Sequence, residues 1–158
     1  MRRGTGVILF TFVLMYVLMI LPLPEWAQWA WPEWVTMSLI YWTIVLPSRV
    51  GILTGWILGL GLDILLGTVL GEHALALALV AYLSLVLHRR VRVYPLWQQS
   101  FIVFLLIGMQ LLVVRIVQAA VGTVPSSLLY WLPCLVSAFA WPFFSFILNA
   151  LRYRFAIS

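Results

Sequence analysis

Six long apolar runs, at about 6–22, 33–47, 50–68, 73–88, 97–120 and 127–150, are each stopped by proline, glycine or charge. They leave no segment between them long enough for a soluble domain. With 8% charged residues and a mean hydropathy of +1.14, the chain has too little polar surface to wet a folded soluble protein. The expected fold is therefore all-α, a polytopic membrane bundle of six transmembrane helices forming a single domain over residues 1–158. The first run, after Met1-Arg2-Arg3, is read as an uncleaved span, because Pro22-Leu23-Pro24-Glu25 follows it in place of a signal-cleavage site.

The second run is the short one. About 15 residues at 1.5 Å each reach roughly 22 Å, against a hydrocarbon core of roughly 30 Å, so a re-entrant segment is the competing reading. The arginines decide between the two. With six spans and an inner N-terminus, the inner segments hold Arg2, Arg3, Arg49, Arg89, Arg90, Arg92, Arg152 and Arg154, eight of the nine basic residues. The outer segments, about 22–32, 69–72 and 121–126, hold none, and Glu25, Glu33 and Glu72 lie in or beside them. A re-entrant second run would put the His88-Arg89-Arg90-Val91-Arg92 cluster outside. Both termini are expected in the cytoplasm.

The net charge of +5 contains no lysine and falls in small clusters between apolar runs, which is not the basic face of a nucleic-acid binder. Cys134, the single cysteine, excludes an internal disulfide and reads as packing. Trp26, Trp29, Trp31 and Trp34 crowd the first outer loop. Interfacial anchoring accounts for them, with a carbohydrate or headgroup platform as the sharper alternative.

The third run carries the most distinctive pattern. Gly51, Gly55, Gly59, Gly67 and Gly71 recur every four residues, and Asp63, the one aspartate of the chain, occupies the missing position. Residues four apart drift by about 40° per step on a helix, so the series makes a slowly winding groove open to another helix. Its expected occupant is either a partner's helix or the fourth span of the same chain. Asp63 falls about 18 Å from the inner start of its span and Arg115 about 27 Å from the inner face. A buried carboxylate needs a partner, and an Asp63–Arg115 pair is expected, with an outward-snorkelling Arg115 and an Asp63 bonded to Gln110 or Thr54 as the alternative.

No catalytic constellation is legible. The chain lacks a second aspartate, H-E-x-x-H, G-x-S-x-G and a phosphate-cradling loop. No catalytic residue, metal or cofactor is expected, and Glu72-His73 reads as a solvated loop pair. Polar residues within the spans (Asp63, Gln110, Arg115, Gln118, Asn149) keep a small-solute-binding transporter subunit open as a second function.

The segment Tyr41-Trp42-Thr43-Ile44-Val45-Leu46-Pro47-Ser48-Arg49-Val50, the track Gly55 to Gly71 with Gly59-x-x-x-Asp63-x-x-x-Gly67-x-x-Leu70-Gly71, and Leu96-Trp97-Gln98-Gln99 resemble the MreD family of bacterial rod shape-determining membrane proteins. The likeness runs through the whole chain, including Leu21-Pro22-Leu23-Pro24 and the terminal arginines. It implies a non-enzymatic inner-membrane subunit of the cell-wall elongation complex. The partners it implies are MreC, through that protein's membrane helix, and beyond it MreB, RodA and the transpeptidase partner of RodA. It also implies a fold similar to the substrate-binding subunits of energy-coupling factor transporters, although no outer-loop set of polar groups resembles a vitamin site. On this reading the groove at Gly51, Gly55, Gly59, Asp63, Gly67 and Gly71 docks the MreC helix or the fourth span. Arg89, Arg90 and Arg92 form a cytoplasmic basic loop that sets topology or contacts cytoskeletal protein and anionic membrane lipid.

Overall fold

A computed structural model describes residues 2–122 and 127–157, so residues 123–126 of the outer segment expected at about 121–126 lie outside the described residues. All the regular secondary structure among the described residues is helical, without a strand. In chain order they form α1 (Arg2–Ile20), the single turn α2 (Glu25–Gln28), α3 (Trp34–Val45), α4 (Ile52–Leu66), α5 (Glu72–Val91), α6 (Leu96–Val121), a 3₁₀ turn (Leu128–Trp131) and α7 (Leu132–Arg154). Among the described residues, four segments are long and apolar enough to cross a membrane: α1, α5, α6 and the 3₁₀ turn with α7. Of the six runs expected to span, α3 and α4 are shorter apolar helices of 12 and 15 residues.

The boundaries follow local chemistry. Pro24 and Pro95 precede α2 and α6, where a missing N–H costs nothing because the first helical amides are unpaired in any case. Gly67 ends α4 at φ +66° and Gly122 ends α6 at φ +87°, left-handed conformations that a side chain would strain. Pro142 lies inside α7 and removes one of its backbone donors.

Burial is inverted relative to a soluble domain. Leu53, Ile64, Val86, Trp97, Phe139, Phe143 and Phe146 point outward, whereas Thr36, Ser38, Asp63, Glu72, Gln110 and Ser137 are buried. An extended apolar exterior around a polar-studded interior is what a lipid solvent selects. The outer surface also has little polar relief, because the helices are apolar on nearly every face and lack the one-sided apolar stripe of a soluble bundle.

Apart from the single turn α2, the shortest α-helix is the most enclosed. Every residue of α3 from Val35 to Ile44 is buried, because α1, α5, α6 and α7 pack around it. The mismatch between 12 residues and the hydrocarbon thickness is thereby relieved, since thickness constrains the lipid-facing surface and α3 has almost none. Its C-terminal carbonyls are met by Arg92, whose Nε donates to Ile44 O at 2.9 Å and whose Nη2 donates to Val45 O. Arg92→Ala should therefore cost about 1 kcal/mol by removing the donor to both carbonyls, while Arg89→Ala should stay within about 0.5 kcal/mol. Thermal unfolding of both variants in detergent micelles checks this; equal midpoints would remove the capping role.

Candidate functional site

The distinctive track of the sequence becomes the contact between α4 and α5 and the turn that joins them. A Cβ placed on Gly59 would overlap the backbone N and Cα of Ala74 and the carbonyl of His73, and one on Gly55 would lie 2.6 Å from Leu77 O and 3.0 Å from the Ala81 Cβ. The two backbones thus touch at the glycines, as small-residue packing in lipid allows. Of the two occupants left open by the sequence, the fourth span, α5, fills this face. An incoming helix cannot use it without displacing α5.

That close approach delivers Asp63, which is 1% exposed, to the first amides of α5. Its Oδ2 accepts from Gly71 N at 2.9 Å and Ala74 N at 3.4 Å, and its Oδ1 accepts from His73 N at 2.9 Å and Thr68 Oγ1 at 3.0 Å. The His73 Nδ1 lies 2.9 Å from Oδ1. Gly71, the N-cap residue of α5, has no side chain to offer these amides, so Asp63 caps the helix from the preceding one. A carboxylate at a helix N-terminus also meets the positive end of the macrodipole.

The expected Asp63–Arg115 pair does not form. Counting residues along a span gives height but not azimuth, and α4 ends at Leu66, which places Asp63 in its last turn beside the unpaired amides of α5. Arg115 instead lies 5.0 Å from the centroid of the Tyr130 ring, with its Nη1 buried and without a hydrogen-bond partner among the described residues. The groove is likewise shorter than the glycine series. Gly67 and Gly71 are left-handed turn residues with open space around them, because the helix that would carry them on has stopped. Gly51 precedes α4 and meets only Leu85 Cδ1, at 3.6 Å.

Glu72-His73 is not a solvated pair. Glu72 is 2% exposed and accepts from Gln118 Nε2 at 2.9 Å, while His73 is held by Asp63. Glu33 adds to this polar end of the bundle: Ser137 Oγ accepts its backbone N–H at 2.9 Å, and Gln110 Nε2 donates to its carboxylate at 3.5 Å. The four tryptophans of the first outer loop do not share a platform. Trp31 donates to Leu18 O at 2.9 Å and meets Trp34 edge to face, Trp34 contacts Phe144, and Trp26 stays 79% exposed. In the basic loop Arg89, Arg90 and Arg92 are all exposed, and Arg92 alone of the three bonds the end of α3.

Thr68, His73, Ala74 and Ala81 were not marked in the sequence as parts of this site. Ala74 and Ala81 lie seven apart, two helical turns on one face, and that spacing was the available signal. Gly61 lies off the four-residue track, yet a Cβ there would meet Tyr16 Oη at 2.7 Å. Tyr16 donates across to Leu58 O and ties α1 to α4.

The geometry at Asp63 is that of a packing and capping device. The sequence profile of the family described as rod shape-determining protein MreD matches residues 2–151. A curated relative from Haemophilus influenzae, named Rod shape-determining protein MreD, is 31% identical over 148 residues, covering 92% of this chain and 90% of its own. No solved structure matches. A match of this extent to both the family profile and a full-length relative, on a bundle whose apolar helices suit a membrane, establishes that the chain belongs to the MreD family of rod shape-determining proteins.

Proposed function

We propose that this protein is a non-enzymatic, six-span subunit of the bacterial inner membrane that maintains rod shape by binding MreC and helping to organise peptidoglycan synthesis. The family match over residues 2–151 is the observation that carries the reading. In this reading both termini are cytoplasmic. The distribution of arginine supports that orientation, since Arg49, Arg89, Arg90, Arg92, Arg152 and Arg154 belong to segments at one end of the bundle and Glu25, Glu33, Asp63 and Glu72 to the other. MreB, RodA and the transpeptidase partner of RodA are reached through MreC, with the exposed Arg89 and Arg90 at the cytoplasmic boundary beside anionic lipid.

Because α5 fills the glycine face, the MreC helix must dock on a surface that otherwise meets lipid. The Gly51–Gly71 track then serves partner binding indirectly, by fixing α4 against α5. Depletion in the host tests the function. Rods should round up and MreC should lose its localisation, and tagged MreC should retain the protein through detergent purification. Unchanged shape together with a defect in uptake of a small solute would replace this reading with a transporter subunit.

A further inference from the structure

At the arginine-bearing end, the last turns of α3 and α7 and the first turn of α6 enclose a cavity of about 420 Å³, lined in part by Tyr41, Arg92, Gln99, Ser145, Asn149 and Arg152. Small-molecule sites occupy roughly 300–1,000 Å³, so the space is sufficient for a headgroup. No aspartate or glutamate lines it, and the acidic side chains of the chain, Glu25, Glu33, Asp63 and Glu72, belong to segments at the opposite end. Among the described residues, no carboxylate side chain therefore neutralises the two guanidinium groups in its wall.

Their donors are only partly used. Arg92 gives Nε and Nη2 to the carbonyls of Ile44 and Val45, which leaves Nη1 without a partner among the described residues. Arg152 stacks over the Tyr153 ring at 4.9 Å, and its N–H groups meet no hydrogen-bond acceptor among the described residues. Ser145 is 3% exposed, lines the same wall, and has a hydroxyl with no partner among the described residues. The wall is otherwise fixed by side-chain pairs: Tyr41 Oη donates to Asn149 Oδ1 at 2.7 Å and Trp141 Nε1 donates to Gln99 Oε1 at 3.3 Å. Of these groups the Ser145 hydroxyl is the buried one, and a buried polar group is ordinarily satisfied; with the two more open guanidinium groups beside it, the held wall suits an anion.

We propose that this cavity binds a phosphate or phosphodiester group, supplied by the headgroup of an anionic lipid in the leaflet at the arginine end. Guanidinium forks match phosphate oxygens in geometry and stay charged at any physiological pH. Basic pockets between membrane helices take lipid headgroups by this chemistry. The site is distinct from the exposed Arg89 and Arg90, and it does not depend on MreC binding.

The test uses the full-length protein in uncharged detergent micelles, with dioleoylphosphatidylglycerol, dioleoylphosphatidylcholine or inorganic phosphate added, and binding followed by native mass spectrometry. Phosphatidylglycerol should be retained in preference to phosphatidylcholine. R152Q should weaken that retention about tenfold, the scale of one lost charge-assisted hydrogen-bonding group, while R154Q, which removes the same charge from an exposed position, should leave it unchanged. Equal losses in R152Q and R154Q would reduce the effect to diffuse surface charge and overturn the site. If R152Q does not stay monodisperse, the wild-type protein still decides: equal retention of the two lipids overturns the proposal. Inorganic phosphate that displaces phosphatidylglycerol at comparable concentration would keep the anion site and identify a soluble phosphate as its source; failure to displace it identifies the lipid.

Discussion

Gly59→Ala is expected to unfold the α4–α5 pair almost as effectively as Gly59→Leu, because the first added carbon already overlaps the backbone of Ala74 and His73. Ordinary overpacking costs about 1–3 kcal/mol when side chains can shift. Here the obstructing atoms are main chain, so the two helices must separate, and the loss should exceed about 3 kcal/mol. Gly51→Ala, whose new carbon would sit 3.6 Å from Leu85 Cδ1, should be tolerated. Gly67→Ala should cost about 1 kcal/mol, the strain of a left-handed position. Unfolding titrated with a denaturing detergent gives the ranking, and a Gly59→Ala protein as stable as Gly51→Ala would disprove the close approach. Loss of MreC binding in a Gly59 variant that remains folded would return that face to the partner, and so separates the packing role from docking.

Asp63→Ala should be the second most damaging change. It strips the acceptor from the amides of Gly71 and His73 and from the Thr68 hydroxyl, at about 1–3 kcal/mol for each buried donor left unpaired. A total of roughly 3–5 kcal/mol follows, the scale seen when one member of a buried polar pair is removed. Asp63→Asn keeps one acceptor oxygen and should recover part of the loss. Arg115→Ala should not reproduce the Asp63 phenotype, since Arg115 meets Tyr130. Hydrogen exchange at the first turn of α5 reads the cap directly: protection there should fall in Asp63→Ala while the middle of α5 is retained. Unchanged exchange would eliminate the capping role.

Both results turn on a distinction that also separates what could be read in the chain from what could not. The apolar runs, their proline, glycine and arginine boundaries, and the family string from Tyr41 to Val50 were legible because they depend on local composition and on order along the chain. The need of Asp63 for a partner was legible too, since a buried carboxylate is costly wherever it lies. Its partner was not. Height along a span follows from a residue count, but which neighbour stands at that height depends on where α4 stops and how α5 is rotated. α4 starts at Ile52 and is stopped by Gly67 after Leu66, so of an apparently continuous track Gly51 lies ahead of the helix and Gly67 and Gly71 lie in the turn.

The second run shows the same division from the other side. Its length, short for a span, was visible, and arginine bookkeeping supported a helix there. Only packing revealed why a 12-residue helix can sit in the centre of the bundle: α1, α5, α6 and α7 enclose it, so it meets side chains where an outer helix would meet lipid. Sequence by itself determined an all-helical chain suited to a membrane and its place in the MreD family, because hydrophobic length, charge clusters and motif order are properties of the linear chain. Tertiary structure alone decided that α5 fills the glycine face, that Asp63 caps α5, and that Arg92 and Arg152 meet at one cavity, because each requires residues distant in sequence to share an azimuth as well as a depth.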